Sequence, residues 1–341
     1  MRKGKKYHHI SNEAKVKVEY IFSKIPVVLS SKEIIDKSFR RAKRIPLAKH
    51  PDKVAMFRNW DIQKLKSMEK SAKDVLEAYT KGFPDLKKLD DFHRELVEVL
   101  VDRDKYKMSL GSVKWCRDSI MKLTTQTIKS LEKTREMDDF LKMMNSYFGR
   151  FSSFLKAIDK DLDYLRNARS KLINIPDVDN ELFTIVVSGF PNVGKSELVK
   201  AISSAKPEIA PYPFTTKGIL IGHRNIGNVK VQIIDTPGLL DRPFNERNEM
   251  EKQAILAIKH LADIIVFLLD PSETCGYSIE KQLSLMDEIK NTFHLPMIEV
   301  ENKVDVFKSN SSRMKISAKE RLNIDELIKG IEGIMGGSYG K

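Results

Sequence analysis

Only two cysteines occur in the 341 residues, Cys116 and Cys275, far apart in the chain and at no metal-ligand spacing. A disulfide framework and a structural zinc site are therefore not expected, and both thiols read as reduced. Long apolar runs are missing too: nothing approaches the roughly 18 consecutive apolar residues that a membrane span requires. The basic N-terminus lacks the apolar stretch and small-residue cleavage site of a secretory signal, so the cytoplasm is the default compartment. No lipidation motif or long amphipathic anchor occurs, and no membrane partner is expected. Tryptophan is scarce, and Trp60 and Trp115 are assigned to core. His50, His93 and His260 stand singly without ligand spacing, which assigns them to surface or helix packing.

What the chain has in excess is positive charge, and its distribution is uneven. Residues 1–180 hold 40 Lys and Arg against 26 Asp and Glu, a balance of +14. Residues 181–341 hold 20 against 21, a balance of −1. Within the first 60 residues 16 basic side chains face 5 acidic ones, including RKGKK at 2–6 beside Tyr7, His8 and His9, and RRAKR at 40–44 beside Phe39. A field of that sign attracts phosphate polymers, and adjacent aromatic surface suits the stacking of exposed RNA bases; a solvated basic helix face is the plainer reading of one such run. No DNA specificity is expected.

From about Ser30 to Leu172 apolar residues recur at helical spacing, with sparse glycine and proline. Met144, Phe148, Phe151, Leu155, Ile158, Leu162 and Leu165 are spaced 4, 3, 4, 3, 4, 3, which predicts one seam of a long helix in a bundle core. Ser30 with Glu33 has capping-box spacing, and Pro51 and Pro84 fit helix starts. The pattern breaks at 174–181, where NIPDVDNE places Pro176 among turn-forming residues. Beyond it FTIVVSG, GILIGH, VKVQIID, IIVFLLD and PMIEVEN alternate with helical stretches, and Asn323 with Glu326 can cap a last helix. The expected architecture is an N-terminal all-α helical bundle over 1–173, a linker at 174–181, and a P-loop α/β domain with a mostly parallel central sheet over 182–341.

Gly189 to Ser196 reads GFPNVGKS, the phosphate-loop pattern G-x-x-x-x-G-K-[ST] between an apolar strand and a helix. Such a loop, running from Gly189 through Pro191, Asn192 and Val193 to Gly194, cradles phosphates with its non-proline backbone N–H groups, directs Lys195 to the β and γ phosphates, and offers the Ser196 hydroxyl to Mg2+. Asp235 to Gly238 reads DTPG after another apolar strand, where an acid holds a magnesium-bound water and the Gly238 amide meets a γ-phosphate. Asn302, Lys303 and Asp305 lie in NKVD after a third strand. A carboxylate at Asp305 accepts from N1–H and N2–H2 of guanine, and adenine would leave it unpaired. Ser317, Ala318 and Lys319 offer backbone donors to guanine O6. Jointly these residues call for GTP or GDP with Mg2+.

In this order the motifs resemble those of the translation-factor-like GTPases over roughly 182–341. YPFTTKG at 212–218 and the run from Asp235 to Asp263 are similar to the Obg-related nucleolar G-protein family, the Nog family, which the long basic helical half also fits. The resemblance implies a molecular switch hydrolysing GTP in assembly of the large ribosomal subunit, a monomer docked on the subunit precursor and its rRNA, and a nucleolar location in a eukaryote. It implies that Thr216 closes over Mg2+, with Thr215 as the fallback, and that Lys195, Thr216 and Gly238 serve catalysis. Asn192 matches the asparagine that holds K+ in related potassium-stimulated GTPases; the alternative is that it merely stabilises the turn. Glu197 departs from the Ser or Thr common after Ser196, and the chain ends soon after the GTPase domain where larger members continue. Where many small GTPases place a water-orienting glutamine, Leu239 and Leu240 follow DTPG. Thr216, Asp241 and Arg242 then remain alternatives for positioning water, and a GTP-binding signalling protein or scaffold with little hydrolysis is the competing class.

Overall fold

The computed structural model describes residues 21–176, 178–213, 215 and 218–339. The RKGKK run with Tyr7, His8 and His9, and also Thr216, lie outside the described residues. The chain divides into two units. One combines Ile21–Asp85 with Leu100–Ile173; the other combines Leu86–Val99 with the chain from Asn174 onward.

The first unit is built from helices α1 (Ser31–Lys43) and α2 (Lys53–Gly82). After α3 (Asp91–Leu100), which falls almost wholly in the other unit, it continues with α4 (Arg103–Lys133), α5 (Met137–Ala157) and α6 (Asp159–Leu172). Leu65, Met68, Leu76, Val113, Phe151, Leu155, Leu162 and Leu165 are fully buried. Burying a side chain of this size stabilises by about 1.5–3 kcal/mol. Two core tyrosines pair their hydroxyls: Tyr147 Oη with Thr124 Oγ1 at 2.9 Å, and Tyr106 Oη, donating to the Pro84 carbonyl at 2.8 Å. Arg166 and Arg169 donate to the Val28 and Ile25 carbonyls, tying the segment before α1 to α6. The capping box at Ser30 and Glu33 is present, with Ser30 N–H donating to Glu33 at 2.7 Å.

Four local expectations are corrected. The seam from Met144 to Leu165 is two helices, interrupted at Ile158 with φ −99° and ψ 11°. Asp159 begins the next helix, where carboxylates favour an N-terminus, and accepts from Ser31 N–H at 3.2 Å. Its apolar residues are buried all the same, except the half-buried Phe148. Pro84 follows the end of α2 instead of starting a helix, and only Pro51, ahead of the N-cap Asp52, sits at a helix start. Asn323 does not cap with its side chain: its φ is 56° and its amide donates to the Lys315 carbonyl. Trp115 is not core but 50% exposed, set edge-on against Phe154, whereas Trp60 is half-buried and donates to the Ile45 carbonyl.

The segment Leu86–Val99 departs from the 1–173 boundary because its side chains pack against the second unit. His93 is buried and bridges Asp90 Oδ2 at 2.5 Å and the Pro176 carbonyl at 3.2 Å. Glu95 pairs with His260 at 2.7 Å, and Phe92 lies 6.5 Å from Tyr212 between ring centroids. Ile175 and Val178 of the linker are buried.

The second unit then runs β1 (Phe183–Ser188), α7 (Lys195–Ile202), β2 (Glu208–Ala210), β3 (Ile219–Ile226), β4 (Val229–Asp235), α8 (Glu249–Leu261), β5 (Ile264–Leu269), α9 (Ile279–Phe293), β6 (Met297–Glu301), β7 (Met314–Lys315) and α10 (Ile324–Tyr339). Its sheet has the order β2-β3-β4-β1-β5-β6-β7. Pairing is parallel from β4 through β7 and antiparallel for β2 with β3 and β3 with β4. The central strands β1 and β5 are buried along their whole length, as a parallel sheet covered by helices demands. The five parallel strands release their following loops at one edge, the place where such sheets bind ligands. Among the described residues no helix is long and apolar enough to cross a membrane.

Candidate nucleotide site

The loop between β1 and α7 is shaped by its glycines. Gly189 has φ 136° and Gly194 φ 102°, conformations that side chains rarely adopt. A Cβ on Gly189 would stand 2.5 Å from the Leu268 carbonyl, and one on Gly194 would collide with the Asn302 amide nitrogen. Asn192 also adopts a left-handed backbone, with φ 63°, and is exposed, while Val193 is buried and anchors the loop. Pro191 lies half-buried between them.

Lys195 opens α7 and is 7% exposed, its ammonium donating to the carbonyls of Gly189 and Phe190 at 2.8 and 2.9 Å. Burial pushes its pKa down, against the pull of Asp235, Asp241 and Glu197. The next residue, Ser196, donates its hydroxyl to Asp235 Oδ2 at 2.6 Å. Asp235 is fully buried at the end of β4, and its Oδ1 has no hydrogen-bond partner among the described residues. Burial raises the pKa of this carboxyl, opposed by the Ser196 hydrogen bond and the Lys195 charge. An unsatisfied buried carboxylate oxygen beside a serine hydroxyl is a fitting oxygen donor set for Mg2+, a hard cation that keeps several waters. Thr236 Oγ1 is likewise buried without a partner.

DTPG continues into a tight turn. Gly238 has φ 79°, Leu239 N–H donates back to the Thr236 carbonyl, and the Gly238 N–H donates to Asp241 Oδ2 at 2.7 Å. Leu239 and Leu240 are each 1% exposed. The Leu240 carbonyl accepts from Ser188 Oγ at 2.9 Å and from Gly189 N–H at 3.3 Å, which joins the turn to the phosphate loop. These leucines are core anchors. Arg247, also buried, donates to the carbonyls of Gly238 and Arg242.

Asn302 unites three loops. Its Nδ2 donates to the Val193 carbonyl at 2.8 Å and its Oδ1 accepts from Ala318 N–H at 2.9 Å, with the residue 3% exposed. Lys303, at φ 64°, donates to Asp270 Oδ2 at 2.7 Å and Thr274 Oγ1 at 2.9 Å. Asp305 is exposed at the rim. Ser317 and Ala318 are buried, with Ser317 bridging to Leu322, whereas Lys319 is exposed and pairs with Glu320. Thr215 holds the Tyr212 carbonyl and the Gly218 N–H with its hydroxyl.

Sequence reasoning missed Asp270 and Gln282. Asp270, fully buried at the end of β5, accepts from Ser272, Thr274, Cys275 and Lys303. Burial pushes its carboxyl up, but the hydrogen bonds from Lys303, Ser272 and Thr274 outweigh it and hold the pKa below the ordinary value. Gln282, also fully buried, pairs with both backbone groups of Asp270. The available signal is an acid closing an apolar strand, a position Asp270 shares with Asp235, although Asp235 also opens DTPG. The second basic run is correctly exposed at Arg40, Arg41, Lys43 and Arg44. Phe39, however, is not a free stacking surface: it packs on Phe148 and Phe151 at 5.2 and 6.4 Å.

Comparison with known proteins finds a family for the chain. A family model described as the NOG1 N-terminal helical domain matches residues 22–179, and one described as nucleolar GTP-binding protein 1 matches 249–305. An uncharacterized protein of Methanocaldococcus jannaschii is 38% identical over 288 residues, 84% of this chain and 81% of its own. Nucleolar GTP-binding protein 1 of Arabidopsis thaliana is 34% identical over 91% of this chain, and that of Saccharomyces cerevisiae 30% over 91%. The chain spans only 46% and 48% of the length of those two relatives. A crystal structure described as nucleolar GTP-binding protein 1 of Plasmodium falciparum is 30% identical, with a TM-score of 0.40, over 47% of this chain and 92% of that one.

Proposed function

This chain belongs to the nucleolar GTP-binding protein 1 family, and from that premise we propose that it binds GTP and GDP with Mg2+ and hydrolyses GTP as a molecular switch in assembly of the large ribosomal subunit. The observation that carries the nucleotide reading is Asn302, which hydrogen-bonds the phosphate loop through Val193 and the 317–319 loop through Ala318. One buried side chain thereby couples phosphate recognition to base recognition. Asp305 at the rim selects guanine, and Ala318 N–H belongs to the same neighbourhood. Ser196 and Asp235 hold the metal, Asp235 through water, and the ion neutralises charge on the transferred phosphoryl group. Lys195 supplies a fixed cation to the β and γ phosphates once they displace the Gly189 and Phe190 carbonyls, and the Gly238 amide meets the γ-phosphate. Thr216 is assigned to the metal by resemblance.

Asn192 is proposed to hold K+, whose charge would stand in for an arginine finger; turnover in potassium is then expected to exceed that in sodium, and equal rates would remove this part. The helical unit is proposed to meet rRNA with its exposed cations at Arg40, Arg41, Lys43 and Arg44. A second reading, a GTP-binding scaffold with little hydrolysis, is favoured by the burial of Leu239 and Leu240 where a water-orienting side chain would sit.

Single-turnover GTP hydrolysis with and without large-subunit precursor particles separates these readings. Stimulation with co-sedimentation supports the ribosome-coupled switch. Absent turnover in both conditions favours the scaffold, and unchanged turnover without co-sedimentation removes the ribosomal role.

A further inference from the structure

The Gly238 N–H, the donor that a γ-phosphate would claim, already has an acceptor. Asp241 Oδ2 takes it at 2.7 Å from three residues downstream. Arg247 holds both ends of this small ring. Its Nη1 donates to the Gly238 carbonyl at 2.9 Å, its Nη2 to the Arg242 carbonyl at 3.2 Å, and its Nη2 lies 3.6 Å from Asp241 Oδ1. The two side chains are sheltered, Arg247 1% and Asp241 14% exposed, while Gly238 itself faces solvent, where an incoming phosphate can reach its amide. The arrangement is also incomplete, because Arg247 Nε is buried without an acceptor among the described residues.

We propose that Asp241 discriminates between nucleoside triphosphate and diphosphate: its carboxylate, positioned by Arg247, competes with the γ-phosphate for the Gly238 amide and biases the site toward the diphosphate. The proposal rests on the guanine-nucleotide reading of the site. Its chemistry is a competition between two anions for one donor. An amide N–H serves one strong acceptor at a time, and a carboxylate beside a γ-phosphate oxygen adds like-charge repulsion. The triphosphate must therefore expel Asp241, which also breaks its pairing with Arg247 and releases the turn from Gly238 to Arg247. A diphosphate brings no oxygen to this amide and leaves the ring closed. The two nucleotides thus differ in what they demand of the turn, the differential interaction that any switch requires.

The test is titration of the full chain with a fluorescent GDP and a fluorescent non-hydrolysable GTP analogue at fixed Mg2+. Wild type is compared with Asp241→Ala, Asp241→Asn and Arg247→Ala. Asp241→Ala is expected to shift the ratio of affinities toward the triphosphate analogue by about 10-fold, the size of one charge-assisted hydrogen bond. Asp241→Asn, which keeps an acceptor but loses the charge, is expected to shift it less, and Arg247→Ala in the same direction. A ratio unchanged in both Asp241 variants, with GDP still bound, overturns the proposal while leaving the nucleotide reading intact. Failure of wild type to bind either nucleotide overturns both.

Discussion

The two units use polar side chains in opposite ways. In the helical unit the cations stand outside and buried polar groups are few, so apolar and aromatic packing carries the fold. In the sheet unit Lys195, Asp235, Asp270, Gln282 and Asn302 are all buried, and each but Asp235 has its polar atoms spent on neighbouring loops. Removing a buried hydrogen-bonding partner costs far more than removing a solvated charge. The contrast teaches that the sheet unit should be sensitive in binding to single polar substitutions, whereas the helical unit should be sensitive to apolar ones.

Asn302→Ala should break that contrast open most strongly. It leaves the Val193 carbonyl and the Ala318 N–H unpaired, and guanine nucleotide affinity is expected to fall by about 100-fold, or about 3 kcal/mol, in a fluorescence titration. Asp270→Asn strips Lys303 of its anion and should lower stability by about 2 kcal/mol at pH 7 in denaturant unfolding. The folded pKa of Asp270 lies below its unfolded value of about 3.9. Its stabilisation is therefore complete above about pH 4 and is lost as pH falls through the lowered value, so the gap between wild type and variant should close on acidification. Phe39→Leu removes the tilted contact to Phe148 and the edge contact to Phe151 and should cost about 1 kcal/mol in thermal unfolding, leaving nucleotide affinity unchanged. Smallest in stability, below about 0.5 kcal/mol, is replacement of Arg40, Arg41, Lys43 and Arg44 by glutamine. On the proposed rRNA role its effect falls instead on RNA affinity, where each lost phosphate contact should flatten the salt dependence by about 0.7–0.9 in slope. An unchanged slope would place the RNA-facing surface elsewhere.

Legibility in the sequence followed the same division. The phosphate loop, DTPG and NKVD were readable because each needs fixed residue types at fixed spacing next to an apolar strand, and the sheet releases all of them at one edge. The α/β alternation was readable for the same reason. Asp270 was overlooked because its role depends on Lys303, 33 residues away, and on Gln282 of a helix. Asp241 could be named as a candidate, but its hold on the Gly238 amide is a matter of turn geometry. In the helical unit, seven-residue periodicity identified the buried face yet passed over the break at Ile158, since a helix interrupted there presents the same apolar stripe. Trp115 and Phe39 exchanged roles relative to expectation: composition counts aromatics, and only packing decides which of them meets solvent. Nothing in the periodicity sets Leu86–Val99 apart, because α3 is as helical as its neighbours and differs only in the surface it packs on.

Competition binding of GTP, ATP and xanthosine triphosphate to wild type and to Asp305→Asn tests the guanine specificity of the site most directly. Wild type is expected to prefer GTP over ATP by at least about 100-fold, and the variant to lose GTP and gain xanthosine triphosphate, whose C2 carbonyl accepts from an asparagine amide. Equal affinity of wild type for GTP and ATP, or a GTP preference that survives in Asp305→Asn, would contradict the assignment of this edge of the sheet as a guanine nucleotide site.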